Sequence, residues 1–190
     1  YRKVFKTLYK QLRQLKPDLI YIGGDVVHGK LDTSPEEVRM VANFFLSLCK
    51  IAPTIIIPGN HDCNLNNKSR EDTLSPIIDL VKKIDPRIHY WKKSGTYTYE
   101  NVDFGVMSIY DRDDVGNQLT DKLPDPTKFT NEYKVALFHG GVDRHEYDGG
   151  MSVKDEHVQI ETFKGYDLIL LGDIHKRQFV DKDERIGYPG

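Results

Sequence analysis

Short apolar runs alternate with amphipathic segments over the first half of the chain, and this alternation predicts an α/β fold. Residues 19–23 and 54–57 are continuous apolar or β-branched runs, typical of strands that are buried on both faces. Residues 4–15 carry apolar side chains at helical spacing, and a second helix is predicted to start at Ser34, with Pro35 at its first position. Strand, helix and strand in this order predict a parallel βαβ unit.

The second half of the chain changes pattern after a second crossover helix, predicted over residues 74–83. The next three strands are short and rich in aromatic or β-branched residues, which predicts a mixed or antiparallel part of the sheet: 88–90, 96–99 and 102–109. A long polar loop is predicted over residues 110–130, followed by a buried strand at 134–138 and a short helix within 153–163. A second buried strand is predicted at 167–171, and two weak strands near Phe179 and near Ile186.

Composition narrows the function classes. The 190 residues are 38% hydrophobic and 29% charged, which is typical of one globular domain with a substantial core. The net charge of −2 provides no global attraction to a polyanion, so a nucleic acid would have to be held by a local patch or by metal ions. No apolar run is long enough to span a bilayer, no signal peptide is recognisable, and two cysteines make no disulfide framework. We therefore expect an intracellular protein without a membrane partner.

Four predicted strands end in residues that can bind a metal ion. Asp25, Asn60, His139 and Asp173 each lie just past an apolar run. One such residue is ordinary turn chemistry, but four of them at strand ends are expected to converge at one edge if the strands are neighbours. Carboxylate, amide and imidazole groups suit a divalent cation, and the absence of a thiolate set argues against structural zinc. Two such ions about 3.5–4 Å apart could support a phosphoryl transfer.

The motifs around these residues resemble those of the calcineurin-like metallophosphoesterases. They read Gly-Gly-Asp at 23–25, Gly-Asn-His-Asp at 59–62, Phe-His-Gly at 138–140 and Gly-Asp-Ile-His at 172–175. The position of His28 resembles the SbcD-type branch of double-strand-break-repair nucleases, and residues 172–178 with Tyr188-Pro189-Gly190 are similar to phage and large-virus exonuclease subunits. The resemblance implies mixed, largely parallel sheets flanked by helices, in a four-layer α/β/β/α sandwich.

The resemblance also implies roles for individual residues. Two divalent ions, expected to be Mn²⁺, would be bridged by Asp25, with Asn60 and His139 on the second ion and His175 on the first. A hydroxide bridging both ions would attack the phosphorus in line. His61 would lie beside the scissile phosphate and stabilise the transition state or protonate the leaving oxygen.

Supporting roles fall to two further residues. Asp62 would orient His61, because a carboxylate on one ring nitrogen fixes the imidazole tautomer. His28 has two equally open roles: it could contact the substrate or His61, or it could be purely structural.

Two departures from the family pattern qualify this hypothesis. Asp173 replaces the first histidine of the usual Gly-His-x-His, which predicts a harder, more negative site that still binds a metal. The first motif, Asp-x-His on the first strand, has no counterpart before Tyr1. We therefore expect residues 1–190 to be one metallophosphoesterase domain truncated at both ends, missing its first strand, with a weak first metal site and little activity as it stands.

Three functions remain open from the sequence. The leading hypothesis is a DNA exo- or endonuclease subunit acting at DNA ends, paired with itself and with a coiled-coil ATPase of the SbcC type. Basic loop residues would hold backbone phosphates, with Arg144 the best candidate because it follows His139: Lys68, Arg70, Arg112, Arg144, Lys176 and Arg177. The alternatives are a small-molecule or phosphoprotein phosphoesterase, and an inactive scaffold; loss of hydrolysis in His61→Ala would separate enzyme from scaffold.

Overall fold

The computed structural model describes residues 1–29, 33–147 and 157–190. The chain divides into two compact units, each described below by itself. The N-terminal unit consists of Tyr1–Ile22, Val26–Ile56 and His61–Trp91. The C-terminal unit consists of Gly23–Asp25, Ile57–Asn60 and Lys92–Gly190. The short loops at 23–25 and 57–60, which contain predicted metal ligands, therefore belong to the C-terminal unit although their flanking strands do not.

The described residues of the N-terminal unit form three α-helices, as the periodicity predicts. They are α1 (Arg2–Leu15), α2 (Pro35–Cys49) and α3 (Leu74–Ile84). The start of α2 is fixed by Ser34, whose hydroxyl accepts a hydrogen bond from the Glu37 amide at 3.2 Å. Asp72 caps α3 in the same way, because its Oδ1 accepts from the amides of Leu74 and Ser75 at 2.9 and 2.7 Å. No helix in the described part of the chain is long and apolar enough to cross a membrane.

A three-stranded parallel sheet forms the centre of the N-terminal unit. Its order is β1 (Ile20–Ile22), β2 (Thr54–Ile56) and β3 (Ile88–Tyr90). Apolar residues of α2 and α3 pack on one face of the sheet in a cluster with Ile56 and Ile88. The prediction that residues 88–90 join a mixed or antiparallel region was wrong, because α3 is a crossover that returns the chain parallel to β2.

A six-stranded mixed sheet forms the C-terminal unit. In chain order its strands are β4 (Gly95–Tyr99), β5 (Val102–Met107), β6 (Tyr133–His139), β7 (Leu168–Gly172), β8 (Gln178–Phe179) and β9 (Ile186–Tyr188). Their spatial order is β4-β5-β6-β7-β9-β8. The inner pairs, from β5 to β9, are parallel, and only the two outer pairs are antiparallel. The parallel strands β6 and β7 therefore end at the same edge of this sheet.

The remaining predictions for the C-terminal unit hold in part. The polar loop predicted over residues 110–130 contains two short 3-10 turns, Thr120–Lys122 and Pro126–Lys128, and a bridge between Arg112 and Gln118. The helix predicted within 153–163 is a 3-10 turn at Ile160–Phe163, and its first residues lie outside the described ones. The core around β6 and β7 is apolar and aromatic, with Phe138, Phe163, Leu171 and Tyr188 buried together.

Candidate metal centre

Four predicted ligands come together in the C-terminal unit. His139 is the last residue of β6, Asp173 directly follows β7, and Asp25 and Asn60 lie in the two short loops. One ligand atom each from Asp25, His139 and Asp173 lies within 4.8 Å of the other two. Asp25 and Asp173 both have left-handed backbones, with φ of 54° and 85°, a conformation that costs energy in non-glycine residues and clusters at functional sites.

The ring of His139 is oriented by a backbone carbonyl. Its Nδ1 lies 2.5 Å from the carbonyl oxygen of Gly23, and because a carbonyl can only accept, Nδ1–H must donate. The other ring nitrogen, Nε2, lies 3.4 Å from Oδ2 of Asp25 and 3.7 Å from Oδ1 of Asp173. The imidazole is 1% exposed, so this contact places its second nitrogen at a buried point next to two carboxylates.

Asn60 adds an amide to the same group. Its Oδ1 lies 3.0 Å from Nε2 of His139. If the amide is turned by 180°, its nitrogen donates to the two oxygens of Asp25 at 3.2 and 3.1 Å and to Nε2 of His139 at 3.0 Å. In the first orientation Oδ1 of Asn60 faces Nε2 of His139, which suits a proton on Nε2 or a cation bound by both atoms. The second satisfies the group without a cation.

The electrostatic field at His139 favours positive charge. Burial by itself lowers the pKa of His139. The hydrogen bond and charge of Asp25, the carbonyl of Gly23 and the charge of Asp173 outweigh that effect, so the pKa is raised above its ordinary value. The same field that favours a proton on Nε2 favours a divalent cation beside it. Two carboxylates, an amide oxygen and an imidazole form a donor set that fits such a cation.

Two glycines allow these groups to approach so closely. A Cβ on Gly172 would lie 2.1 Å from the carbonyl oxygen of Gly23 and 2.7 Å from Nδ1 of His139. A Cβ on Gly59 would lie 2.2 Å from Oδ1 of Asp25. Any side chain at either position would therefore push the ligands apart.

His175 is not part of this group. Its side chain is exposed, and among the described residues the group of potential ligands contains Asp25, His139 and Asp173. Its assignment as a ligand of the first metal stays a prediction.

The other predicted catalytic residues belong to the N-terminal unit. The rings of His28 and His61 stack with centroids 4.7 Å apart and planes 18° from parallel. Nδ1 of His61 lies 3.4 Å from the carbonyl oxygen of His28, so Nδ1–H donates in this contact. Asp62 is fully buried, and its Oδ1 accepts from the amide of Val27 at 3.1 Å. Asp62 therefore ties the loop that carries His28 to the segment that carries His61, while its predicted role in orienting His61 stays a prediction.

Two of the predicted phosphate-binding cations already have acidic neighbours. Nε of Arg144 lies 3.1 Å from Asp143, and NH2 of Arg144 lies 3.0 Å from Glu161. Lys176 forms an ion pair with Glu146, whose pKa is lowered by the hydrogen bond and charge of Lys176. Arg177, Lys68 and Arg70 are exposed. A polyanion would have to compete with carboxylates for Arg144 and Lys176.

Sequence reasoning missed the parts of the site that have no ligand chemistry of their own. The carbonyl of Gly23 and the close approaches at Gly59 and Gly172 arise from backbone contacts between residues far apart in the chain. The only signal was the occurrence of glycine just before Asp25, Asn60 and Asp173. A glycine that precedes a ligand at a strand end is a usable sign of such a close approach.

The chain is similar to several known proteins. The chain is 42% identical over 194 residues to the uncharacterised protein R555 of Acanthamoeba polyphaga mimivirus; the match covers all of this chain and 14% of R555. The crystal structure of TT1561 of Thermus thermophilus superposes with a TM-score of 0.61 at 15% identity, covering 98% of this chain and 81% of that one. A second crystal structure gives a TM-score of 0.62 at 9% identity, with 99% and 84% covered.

At these identities the two crystal structures show the fold alone, an α/β fold with mixed, largely parallel sheets and helices. The chain spans about a seventh of the viral relative, so that protein does not define the activity of this segment. The sequence model for the calcineurin-like phosphoesterases matches residues 1–177. That family is generally one of metal-dependent hydrolases, and by this match the chain belongs to the calcineurin-like phosphoesterase family.

Proposed function

We propose that this chain is a metal-dependent phosphodiester hydrolase that acts on DNA ends. The observation that carries the proposal is the convergence of Asp25, Asn60, His139 and Asp173 around Nε2 of His139. These residues would hold divalent cations, expected to be Mn²⁺, with His175 as a further ligand. Bound cations would supply Lewis-acid polarisation of the phosphoryl oxygens and would lower the pKa of a water nucleophile.

The residues of this chain then have separable tasks. The carbonyl of Gly23 fixes the tautomer of His139, so that Nε2 offers its lone pair. The negative charge of Asp25 and Asp173 draws cations to that point. Nδ1–H of His61 donates to the carbonyl of His28. We assign to the other ring nitrogen of His61, Nε2, the role of protonating the leaving oxygen. Asp62 holds the loop of His28 in place through the amide of Val27.

Two features support DNA as the substrate, the position of His28 and the placement of three basic loop residues. His28 follows the Gly-Gly-Asp motif in the manner of the SbcD-type nucleases. Arg144 lies in the loop after β6, and Lys176 and Arg177 lie in the loop after β7, so all three follow strands that end in ligands. Side chains at these positions could contact backbone phosphates without reading the sequence.

The test compares end-labelled linear DNA with bis-p-nitrophenyl phosphate as substrates in the presence of Mn²⁺. His61→Ala should abolish hydrolysis of both while the Mn²⁺ affinity stays unchanged. Arg144→Ala should weaken DNA binding several-fold and leave hydrolysis of the small diester intact. Arg185→Ala is the matched control, because its side chain is also 55% exposed and also paired with an acid, but it precedes β9 at the opposite sheet edge. Equal effects of the two arginine variants would contradict a DNA contact at Arg144.

A small-molecule phosphodiesterase is the second candidate. The observation that favours it is the pairing of Arg144 with Asp143 and Glu161 and of Lys176 with Glu146, which reduces the positive charge available to a polyanion. Efficient cleavage of the small diester without cleavage of linear DNA would decide for it.

We also propose self-association through α3. Pro76, Leu80 and Ile84 recur every four residues, so they form one stripe on the helix, and all three are exposed, Leu80 by 61% and Ile84 by 72%. Leu80→Lys with Ile84→Lys should convert a dimer to a monomer in sedimentation analysis, whereas Leu15→Lys, at an equally exposed position on α1, should not. A coiled-coil ATPase of the SbcC type is proposed as a further partner from the resemblance, with co-purification as its test.

A further inference from the structure

The turn after β6 directly follows a proposed metal ligand, and its backbone is held by side chains from elsewhere. His139 ends β6, and Gly140, Gly141 and Val142 follow it. Two consecutive glycines would leave such a turn with many accessible conformations, so its shape must be imposed from outside. The amide of Gly140 donates to the carbonyl of Gly172 at 3.4 Å, which links the turn to the end of β7.

Tyr188 holds the turn on both sides. Its phenol donates to the carbonyl of Gly140 at 2.9 Å and accepts from the amide of Val142 at 3.0 Å. Tyr188 is 2% exposed and ends β9, which pairs with β7 and not with β6. The side chain therefore reaches past β7 to the turn after β6, and a single oxygen satisfies one backbone group before and one after Gly141.

His145 completes the arrangement. Its Nδ1 lies 2.6 Å from the carbonyl of Val142, so Nδ1–H donates there. The residue is 0% exposed, and its ring lies edge-on to Tyr147 at 4.7 Å and tilted to Tyr188 at 6.2 Å. The next residue is anchored as well, because Gln178 accepts from the amide of Glu146 and donates to its carbonyl, both at 2.8 Å.

We propose that Tyr188 is a positioning residue for metal binding, assisted by His145. It contacts neither substrate nor metal in this scheme. It fixes the backbone that leaves His139, and so sets how Nδ1 of His139 meets the carbonyl of Gly23 and where Nε2 lies relative to Asp25 and Asp173. This inference rests on the proposed metal centre and adds to it two residues that supply no ligand atom themselves.

The experiment measures the Mn²⁺ dissociation constant of the full chain by calorimetry, together with thermal stability, for two matched variants. Tyr188→Phe removes one hydroxyl from the turn. Tyr166→Phe removes a hydroxyl from another buried tyrosine of the same core cluster, one that donates to the carbonyl of Pro124 at 2.6 Å. Both should lose stability, Tyr188→Phe more than Tyr166→Phe, because the Tyr188 hydroxyl bonds two backbone groups and the Tyr166 hydroxyl is seen to bond one. Only Tyr188→Phe should weaken Mn²⁺ binding, by about 10-fold, the lower end of the effect of groups that orient metal ligands.

A second pair of variants keeps the test decisive if Tyr188→Phe does not fold. His145→Leu removes the donor to Val142 and should weaken Mn²⁺ binding several-fold. His145→Asn should restore the affinity, because the amide nitrogen of asparagine can occupy the place of Nδ1. Equal Mn²⁺ affinity in Tyr188→Phe and Tyr166→Phe, or in His145→Leu and His145→Asn, would overturn the inference while leaving the metal centre intact. A wild-type chain that binds no Mn²⁺ would overturn the metal centre, and the inference with it.

Discussion

Asp103 and Asp25 are two carboxylates of the same unit in opposite surroundings. Asp103 is 2% exposed and accepts from the hydroxyl of Thr98 at 2.7 Å and from the amides of Thr130 and Asn131 and the side-chain nitrogen of Asn131, each at 2.9 Å. Asp25 lies instead beside Nε2 of His139, within the group that also contains Asp173. Four hydrogen-bond donors surround the first carboxylate, whereas the second shares its site with another carboxylate, the imidazole of His139 and the amide of Asn60.

This difference separates a structural carboxylate from a candidate metal ligand. The amide of Asn131, the hydroxyl of Thr98 and the other donors outweigh burial and lower the pKa of Asp103 to about 2. Hydrogen bonds from the protein thus stabilise the negative charge of Asp103 without a cation. At Asp25 and Asp173 two negative groups lie close together beside His139, an arrangement that a bound cation would stabilise. Burial alone does not identify a functional acid, whereas the nature of its neighbours does.

The strongest test of this comparison replaces each of the two acids by asparagine in a separate variant. Asp25→Asn should lower the Mn²⁺ affinity by about 100-fold or more, because it removes a charged ligand, and should abolish hydrolysis. His139→Ala should do the same. Asp103→Asn should leave both properties unchanged. Calorimetric titration with Mn²⁺ and a phosphodiester assay measure the two effects, and a loss of metal binding in Asp103→Asn would remove the distinction between the two acids.

A second test acts on the space around the ligands. Gly172→Ala places a methyl group 2.1 Å from the carbonyl of Gly23, and relief of that clash should cost about 3 kcal/mol of unfolding free energy and displace His139. Mn²⁺ binding should be lost as well. Gly116→Ala is the control, because its Cβ would meet nothing within 4 Å although its φ is +92°. It should cost about 1 kcal/mol through backbone strain and leave metal binding unchanged.

A third test concerns the structural acid. Asp103→Asn should lower the unfolding free energy by about 2 kcal/mol. The charge-assisted hydrogen bonds are weakened, and the new side-chain NH2 group faces donors where the carboxylate oxygen accepted from them. The wild-type pH dependence has a definite sign. Since the pKa of Asp103 is lowered on folding, its contribution is complete above the unfolded value near 4 and disappears as the pH falls towards 2. Urea unfolding between pH 2 and 6 should show this slope reduced in Asp103→Asn.

The smallest expected effect concerns which metal is preferred. Asp173→His replaces a hard oxygen ligand by the imidazole that the family usually has at this position, and reduces the negative charge next to His139. The ratio of Zn²⁺ to Mn²⁺ affinity should therefore rise several-fold, because imidazole suits Zn²⁺ better than Mn²⁺. Competition titrations measure the ratio, and an unchanged ratio would show that Asp173 contributes charge but no ligand atom.

The sequence by itself determined the elements and the identity of the candidate ligands. Helical spacing in residues 4–15, the cap at Ser34 and the apolar runs before Asp25, Asn60, His139 and Asp173 are local signals, and the helices and strands follow them closely. It did not determine that the strands form two sheets, nor that residues 88–90 pair in parallel with β2. Strand pairing depends on contacts between distant segments, and the sequence of a short strand does not indicate which strand it pairs with.

Only the tertiary structure decided which candidates meet and how they are held. It placed Nδ1 of His139 on the carbonyl of Gly23, 116 residues away in the chain, and brought Tyr188 onto the turn after His139. It also showed Arg144 and Lys176 paired with acids, although the sequence presents them only as basic loop residues. The physical reason is range: side-chain type and spacing act locally, whereas a tautomer, a close approach and an ion pair are set by atoms that folding alone brings within a few ångströms.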